Sequence, residues 1–177
     1  SIEMKTVAGR MLEDGMGYIR IGNFSEHTGR EFASVLQDLE GQGMNGLILD
    51  LRENPGGLIK SCVEVANHVV PKGTVVSVID KNGKKETYES EILAGALQDT
   101  GAATLVGTKS YGKGSVQVVV PMHHDDALKL TIAKYYTPSG RCIDGLGIEP
   151  DVEIALPSDA TRDVQLDKAE EVLRSKL

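Results

Sequence analysis

The sequence predicts an α/β fold in which a mixed sheet is flanked by helices. Three observations carry that expectation: a strand, a helix and a strand follow one another between residues 17 and 51, the second strand is apolar almost throughout, and strands and helices keep alternating to the end of the chain. "GYIRIGNF" (17–24) reads as a strand. "SEHTGREFASVLQDLEGQG" (25–43) reads as a helix, with Ser25 or Thr28 as cap and Phe32, Val35, Leu36 and Leu39 on one face. "GLILDL" (46–51) is the kind of run found in strands covered on both faces. Strand, helix and strand in this order imply a parallel pair with a right-handed crossover.

The turn "RENPGG" (52–57) leads into a helix from Leu58 to about Val70, which Pro71 and Gly73 end. "TVVSVIDKNGKKETYE" (74–89) predicts a hairpin turned at Asn82-Gly83. "EILAGALQDTG" (91–101) is a helix closed by Gly101, followed by strands at "ATLVGT" (103–108), "VQVVVPM" (116–122) and "LKLTIAKYYTP" (128–138). The tail, 163–177, has the pattern of an amphipathic helix. One junction breaks the rhythm. In "KKETYESEILAGALQD" (84–99) a polar hairpin strand runs straight into an apolar helix, with no strand between them to pack that helix on a sheet.

At 177 residues with 40% hydrophobic content the chain can bury one core of ordinary size, so a single domain over 1–177 is expected. A formal net charge of −7 argues against a nucleic-acid or membrane-surface partner, because both are bound through basic patches. No run of about 18 apolar residues is present. The opening "SIEMKTVAGRMLEDG" lacks the pattern of a signal peptide, so the chain is expected to be soluble, which is compatible with a leader removed earlier. Cys62 and Cys142 are too few and too far apart for a disulfide framework or a zinc site and are expected as ordinary thiols.

Three stretches could carry chemistry. In "DLRENPGG" a loop leaves the carboxyl end of a buried strand, paired glycines allow a backbone N–H to approach a bound atom, and a helix begins just beyond Gly57. Its amides favour negative charge, as an oxyanion hole requires, although a plain strand-to-helix turn accounts for the same residues. "GTKSYGKGSVQ" (107–117) nearly matches the phosphate-binding loop, but Gly114 stands where the magnesium-ligating hydroxyl belongs and a strand follows instead of a helix. What remains is Lys113 between two glycines, with Gln117 four residues on. A lysine with little solvent can act as a neutral base for a Ser hydroxyl; a solvated loop lysine is the simpler reading. Residues four apart on a strand lie about 13 Å from each other, so cooperation with Gln117 requires the loop to turn. His27, His68, His123 and His124 match no nucleophile-elbow or metal-ligand pattern, and His123-His124-Asp125-Asp126 reads as a hairpin loop.

In order and spacing, "GYIRIGNFSEHTGREF", "GLILDLRENPGG", "EILAGALQD", "GTKSYGKGSVQ", "YYTPSGRCIDGLGIEPD" and "VQLDKAEEVL" resemble the catalytic core of the carboxyl-terminal processing peptidases, the tail-specific serine proteases. The resemblance covers nearly the whole chain and is most specific at "RENPGG", "GKGSVQ" and "GRCIDGLGIEPD". It implies a crotonase and caseinolytic-protease-like core and a serine endopeptidase without a catalytic His. By resemblance Lys113 is the base, Gln117 orients it, Gly56 or Gly57 gives part of the oxyanion hole, and Asp99 has a supporting role. The resemblance further implies protein or peptide substrates with a free C-terminus, no metal or other cofactor, compatibility with a homo-oligomer, and an extracytoplasmic or plastid-lumen location.

Family members carry S-A-S immediately before "EI", on a loop that follows a further strand; its first Ser is the nucleophile and the next residue gives the second oxyanion amide. Tyr88, Glu89 and Ser90 hold the matching places here. The nucleophile and its strand are therefore expected on a segment missing near residues 88–91, because a helix face left unburied costs about 25 cal/mol per Å². The alternative is an inactive peptide-binding pseudo-protease. An acyl-thioester enzyme of crotonase type is a third reading, and it lacks basic residues near "NPGG" for a cofactor's phosphates. The PDZ domain usual in the family is absent from these residues.

Overall fold

The computed structural model describes residues 4–70, 75–79, 88–121 and 127–177. The helix end at Pro71 and Gly73, the Asn82-Gly83 turn and the His123-His124-Asp125-Asp126 loop lie outside them. In chain order the elements are β1 (Val7–Met11), β2 (Met16–Ile21), α1 (Thr28–Gly41), β3 (Gly46–Asp50), α2 (Ile59–Val69), β4 (Val75–Ile79), α3 (Tyr88–Asp99), β5 (Ala103–Gly107), β6 (Ser115–Pro121), β7 (Ala127–Lys134), β8 (Val152–Glu153) and α4 (Val164–Arg174). Six strands form one sheet in the order β1-β2-β3-β4-β5-β8, and β6 pairs with β7 in a second.

The first crossover is as expected: β2 and β3 pair in parallel, with Ile19 opposite Leu49. Every residue of β3 is buried, because helices cover both faces. On one face α1, α2 and α3 contribute Phe32, Leu36, Val65, Leu93 and Leu97 to the main core. On the other, Ala169 and Leu173 of α4 close over Met16, Ile48 and Val106. Cys62 and Cys142 are free thiols.

The junction departs from expectation. Tyr88 and Glu89, expected on a hairpin strand, form the first turn of α3, so the helix starts three residues before Glu91. β4 has parallel partners on both sides, Ile48 opposite Val76 and Val76 opposite Thr104, which leaves this strand no open edge in the sheet for a hairpin mate. It occupies the place beside β3, and α3 is the connection from β4 to β5. The apolar face of α3 is therefore covered, with Leu93, Ala94 and Leu97 fully buried. Helix formation at Tyr88-Glu89 prevails over local strand preference because it brings two acidic residues into the first turn, where the helix dipole favours them. Sequence reading also missed β1 as bounded here and the two-residue β8.

Candidate active site

The chain leaves β3 through a turn held from several sides. Asp50, fully buried at the end of β3, accepts from Arg52 Nε at 3.0 Å and Nη2 at 2.8 Å, and from the Tyr18 hydroxyl at 2.6 Å. Burial and the bond to Asp50 push the Tyr18 hydroxyl up to about 12. Arg52 reaches on to Asp163, with bonds of 2.8 and 2.7 Å, and to Gln165 at 3.2 Å. Asp163 caps α4, so one guanidinium joins the turn to a helix on the far face of the sheet. That pairing holds the Asp163 carboxyl below its ordinary range.

Beyond Arg52, Asn54 is fully buried; its Nδ2 donates to the Ile21 carbonyl at 3.0 Å and its Oδ1 accepts from the Gly56 N–H at 2.8 Å. Phe24 N–H donates to Gly56 O, and Leu58 N–H to Phe24 O, so the turn is stitched to the end of the first crossover. Gly57 lies at φ 148°, and a Cβ there would stand 2.0 Å from the Phe24 carbonyl oxygen. No side chain fits. Of the two expected oxyanion donors, the Gly56 N–H is committed to Asn54, while the Gly57 N–H points out of the turn to Glu89 Oε2 at 2.8 Å.

The lysine loop meets the same helix two residues further on, at Glu91. Glu91, 2% exposed, accepts from Gly112 N–H at 2.6 Å and Lys113 N–H at 2.9 Å, and from the Ser110 hydroxyl. Burial raises the Glu91 carboxyl above its ordinary value despite these donors. On its other side the loop rests on 143–148: Gly145 N–H donates to Gly112 O, and Ile148 N–H to Ser110 Oγ at 2.7 Å. At Gly112, φ is 88° and a Cβ would lie 2.5 Å from the Gly147 nitrogen. The "GRCIDGLGIEPD" stretch therefore serves as the bed of the Lys113 loop.

Lys113 thus sits on a loop whose backbone is fixed at the mouth of α3, and its side chain is half-buried. Gln117 lies three residues into β6, beside a break in register between Val116 and Gln117. The expected turn toward Lys113 can only come before Ser115, where the strand begins. Asp99 stands at the other end of α3, bonded to Arg141 and to the Ser139 N–H at 2.9 Å. Burial works to raise its carboxyl, but bonds from Ser139, Thr137 and Arg141 outweigh it and hold it low. Asp99 therefore ties the helix to the loop before "GRCIDGLG" and touches neither Lys113 nor Gly57 in the described contacts.

Glu89 and Glu91 were not among the expected site residues, yet these two side chains of one helical turn grip the two candidate loops. Asp50 and Arg52 were also missed. Their signal was present, an ionised pair directly after a wholly apolar run. Ser90, between the two glutamates, is buried and its Oγ has no hydrogen-bond partner.

With this geometry in place, the comparisons with known proteins are specific. The sequence profile of peptidase family S41 matches residues 15–90 and 89–154, two pieces that meet at Glu89-Ser90. The carboxy-terminal processing protease CtpB of Bacillus subtilis is 39% identical over 80% of this chain and 34% of its own length. The carboxyl-terminal-processing protease of Synechocystis is 38% identical over 80% of this chain and 38% of its own. The chain thus spans about a third of the length of these curated relatives. The CtpB match runs over 165 positions, whereas 80% of 177 is about 142 residues, so about 23 positions face no residue here. Among solved structures, the photosystem II D1 C-terminal processing protease superposes with a TM-score of 0.74 and 26% identity, over 97% of this chain and 53% of that one. The fold is the crotonase and caseinolytic-protease-like one of these enzymes, and the chain belongs to peptidase family S41.

Proposed function

We propose that the chain is the core of a serine endopeptidase that cleaves protein substrates near their C-terminus by a Ser-Lys(-Gln) mechanism, with its nucleophile on a strand-and-loop segment absent from these 177 residues. The observation that carries this reading is the division of the family match at Glu89-Ser90, where Tyr88-Glu89-Ser90 stands in place of S-A-S. Packing alone does not call for the segment, since β4 already covers the flank of β3.

In this mechanism the Ser attacks the substrate carbonyl, neutral Lys113 takes its proton and returns it to the leaving amine, and Gln117 orients the lysine. The Gly57 N–H holds the oxyanion together with an amide of the segment. Asp99 acts through the 137–141 loop. The substrates are proteins or peptides with a free C-terminus, met outside the cytoplasm or in a plastid lumen; relatives named chloroplastic support the latter setting.

With the segment in place, after Glu89, Lys113→Ala lowers hydrolysis of an unfolded protein substrate by about 10²–10⁴-fold while the circular dichroism spectrum is unchanged. Retained hydrolysis overturns the role of Lys113. The second reading, an inactive peptide-binding module, is favoured by one observation, the uninterrupted helix from Tyr88 to Asp99. It predicts peptide binding without turnover even when the segment is present.

A further inference from the structure

The Gly57 turn is bonded on both sides by residues outside α3. Asn54 and Phe24 hold it from both sides, and its Gly56 N–H is satisfied within the turn. The Gly57 N–H is left over as an outward-facing donor just before α2, and in this chain a carboxylate already sits on it. Glu89 Oε2 lies 2.8 Å from that nitrogen, and Glu89 is only 6% exposed. Cys62 donates its thiol to the Glu89 carbonyl at 3.3 Å, and burial, with the Glu89 charge adding to it, pushes that thiol up to about 12. Burial likewise raises the Tyr135 hydroxyl, with the Glu89 charge adding to it. A carboxylate is costly to place among such neighbours, and an apolar residue would cover them at lower cost. The Gly57 amide thus already receives a nine-tenths-buried carboxylate oxygen.

We propose that the Gly57 turn is a binding site for the carboxylate end of a peptide, and that Glu89 is its built-in occupant, which keeps the site closed in this chain. The proposal rests on the reading of Gly57 as an oxyanion donor. A tetrahedral oxyanion and a carboxylate both present a negatively charged oxygen, so an amide placed for one receives the other. Hydrolysis of a peptide bond produces such a carboxylate at the new C-terminus. An open site would retain that product; a site filled by Glu89 excludes it.

The test uses the ¹⁵N-labelled 177-residue chain, its Glu89→Ala and Glu89→Gln variants, and acetyl-trialanine as the free acid and as the C-terminal amide. In Glu89→Ala the Gly57 amide proton moves upfield. The acid then binds at least about tenfold more tightly than it binds the unaltered chain, a size that one charge-assisted hydrogen bond supports. Binding of the acid returns the Gly57 resonance downfield, and the amide peptide does neither. Glu89→Gln keeps the side-chain volume and lies between the two, which separates an emptied site from a folding defect. A Gly57 resonance unchanged in both variants, or equal affinity for acid and amide, overturns the proposal. Neither readout involves hydrolysis, so a failure of Lys113 as base and a failure of this site are told apart.

Discussion

At residues 52–57 the chain holds a glycine turn through side chains from distant elements, whereas at 110–114 it holds another through one carboxylate and a bed of backbone. The first is fixed by Asp50, Arg52, Asp163, Asn54 and the Phe24 bridge, and leaves the Gly57 N–H pointing outward. The second has its Gly112 and Lys113 N–H groups consumed by Glu91. The 52–57 turn is thus supported from behind with one donor left outward, and the 110–114 loop has its own amides tied down. The comparison also locates the weak point. Removing one group loosens the lysine loop, while the 52–57 turn is anchored at several points.

The largest effect is expected where the first loop meets the far face of the sheet. Arg52→Ala leaves buried Asp50 without its cation and costs about 3–5 kcal/mol, read as a lower urea midpoint at unchanged slope. A loss below about 1 kcal/mol would mean that the anchoring of this turn does not run through Arg52.

Glu91→Gln comes next. An amide oxygen can accept from one of the two loop amides while its NH₂ opposes the other, for a loss of about 1–3 kcal/mol. The pH dependence sharpens the point. Because the folded carboxyl is raised above its unfolded value, the folded state keeps the proton longer. Stability from this group is therefore greatest in acid and declines as pH rises from the ordinary glutamate range through the folded value. Subtracting the Glu91→Gln profile from that of the unaltered chain isolates this fall against the opposite trend from Asp163 and Asp99. A difference that is flat with pH contradicts the buried state of Glu91.

The smallest effect lies at the rim of the first loop. Glu53 adopts φ 59°, a conformation that disfavours a side chain, and pairs with exposed Arg20 at 2.7 Å. Glu53→Gly relieves the strain and is expected to stabilise by up to about 1 kcal/mol, since an exposed pair contributes little. Marked destabilisation would add Arg20 to the anchors of this turn.

Much of this fold was legible in the sequence because its periodicities are local. The α1 face, the apolar β3 and the amphipathic α4 each carry their signal within one element. β8 has two residues and no period to read, and α3 begins early because its first turn gathers two acidic residues that the strand pattern of 84–89 masks. At the site, glycine pairs and a lysine between glycines announced the two loops. The groups that fix them did not, because Arg52 and Asp163 are 111 residues apart, and Glu89 reads as the end of a hairpin strand and Glu91 as an ordinary first-turn acid until the Gly57 and Gly112 amides are seen to face them. The odd junction at 84–99 was visible as an interruption. The structure answers half of it by placing β4 beside β3, and the family match, divided at Glu89-Ser90, poses the other half.

The most direct measurement is the hydrolysis of an unfolded protein substrate by the 177-residue chain and by the same chain with the relatives' segment inserted after Glu89, side by side at equal concentration. The account predicts no turnover by the first and turnover by the second. Hydrolysis by the 177-residue chain, abolished by Ser90→Ala, would contradict it and make the buried, unpartnered Ser90 the nucleophile.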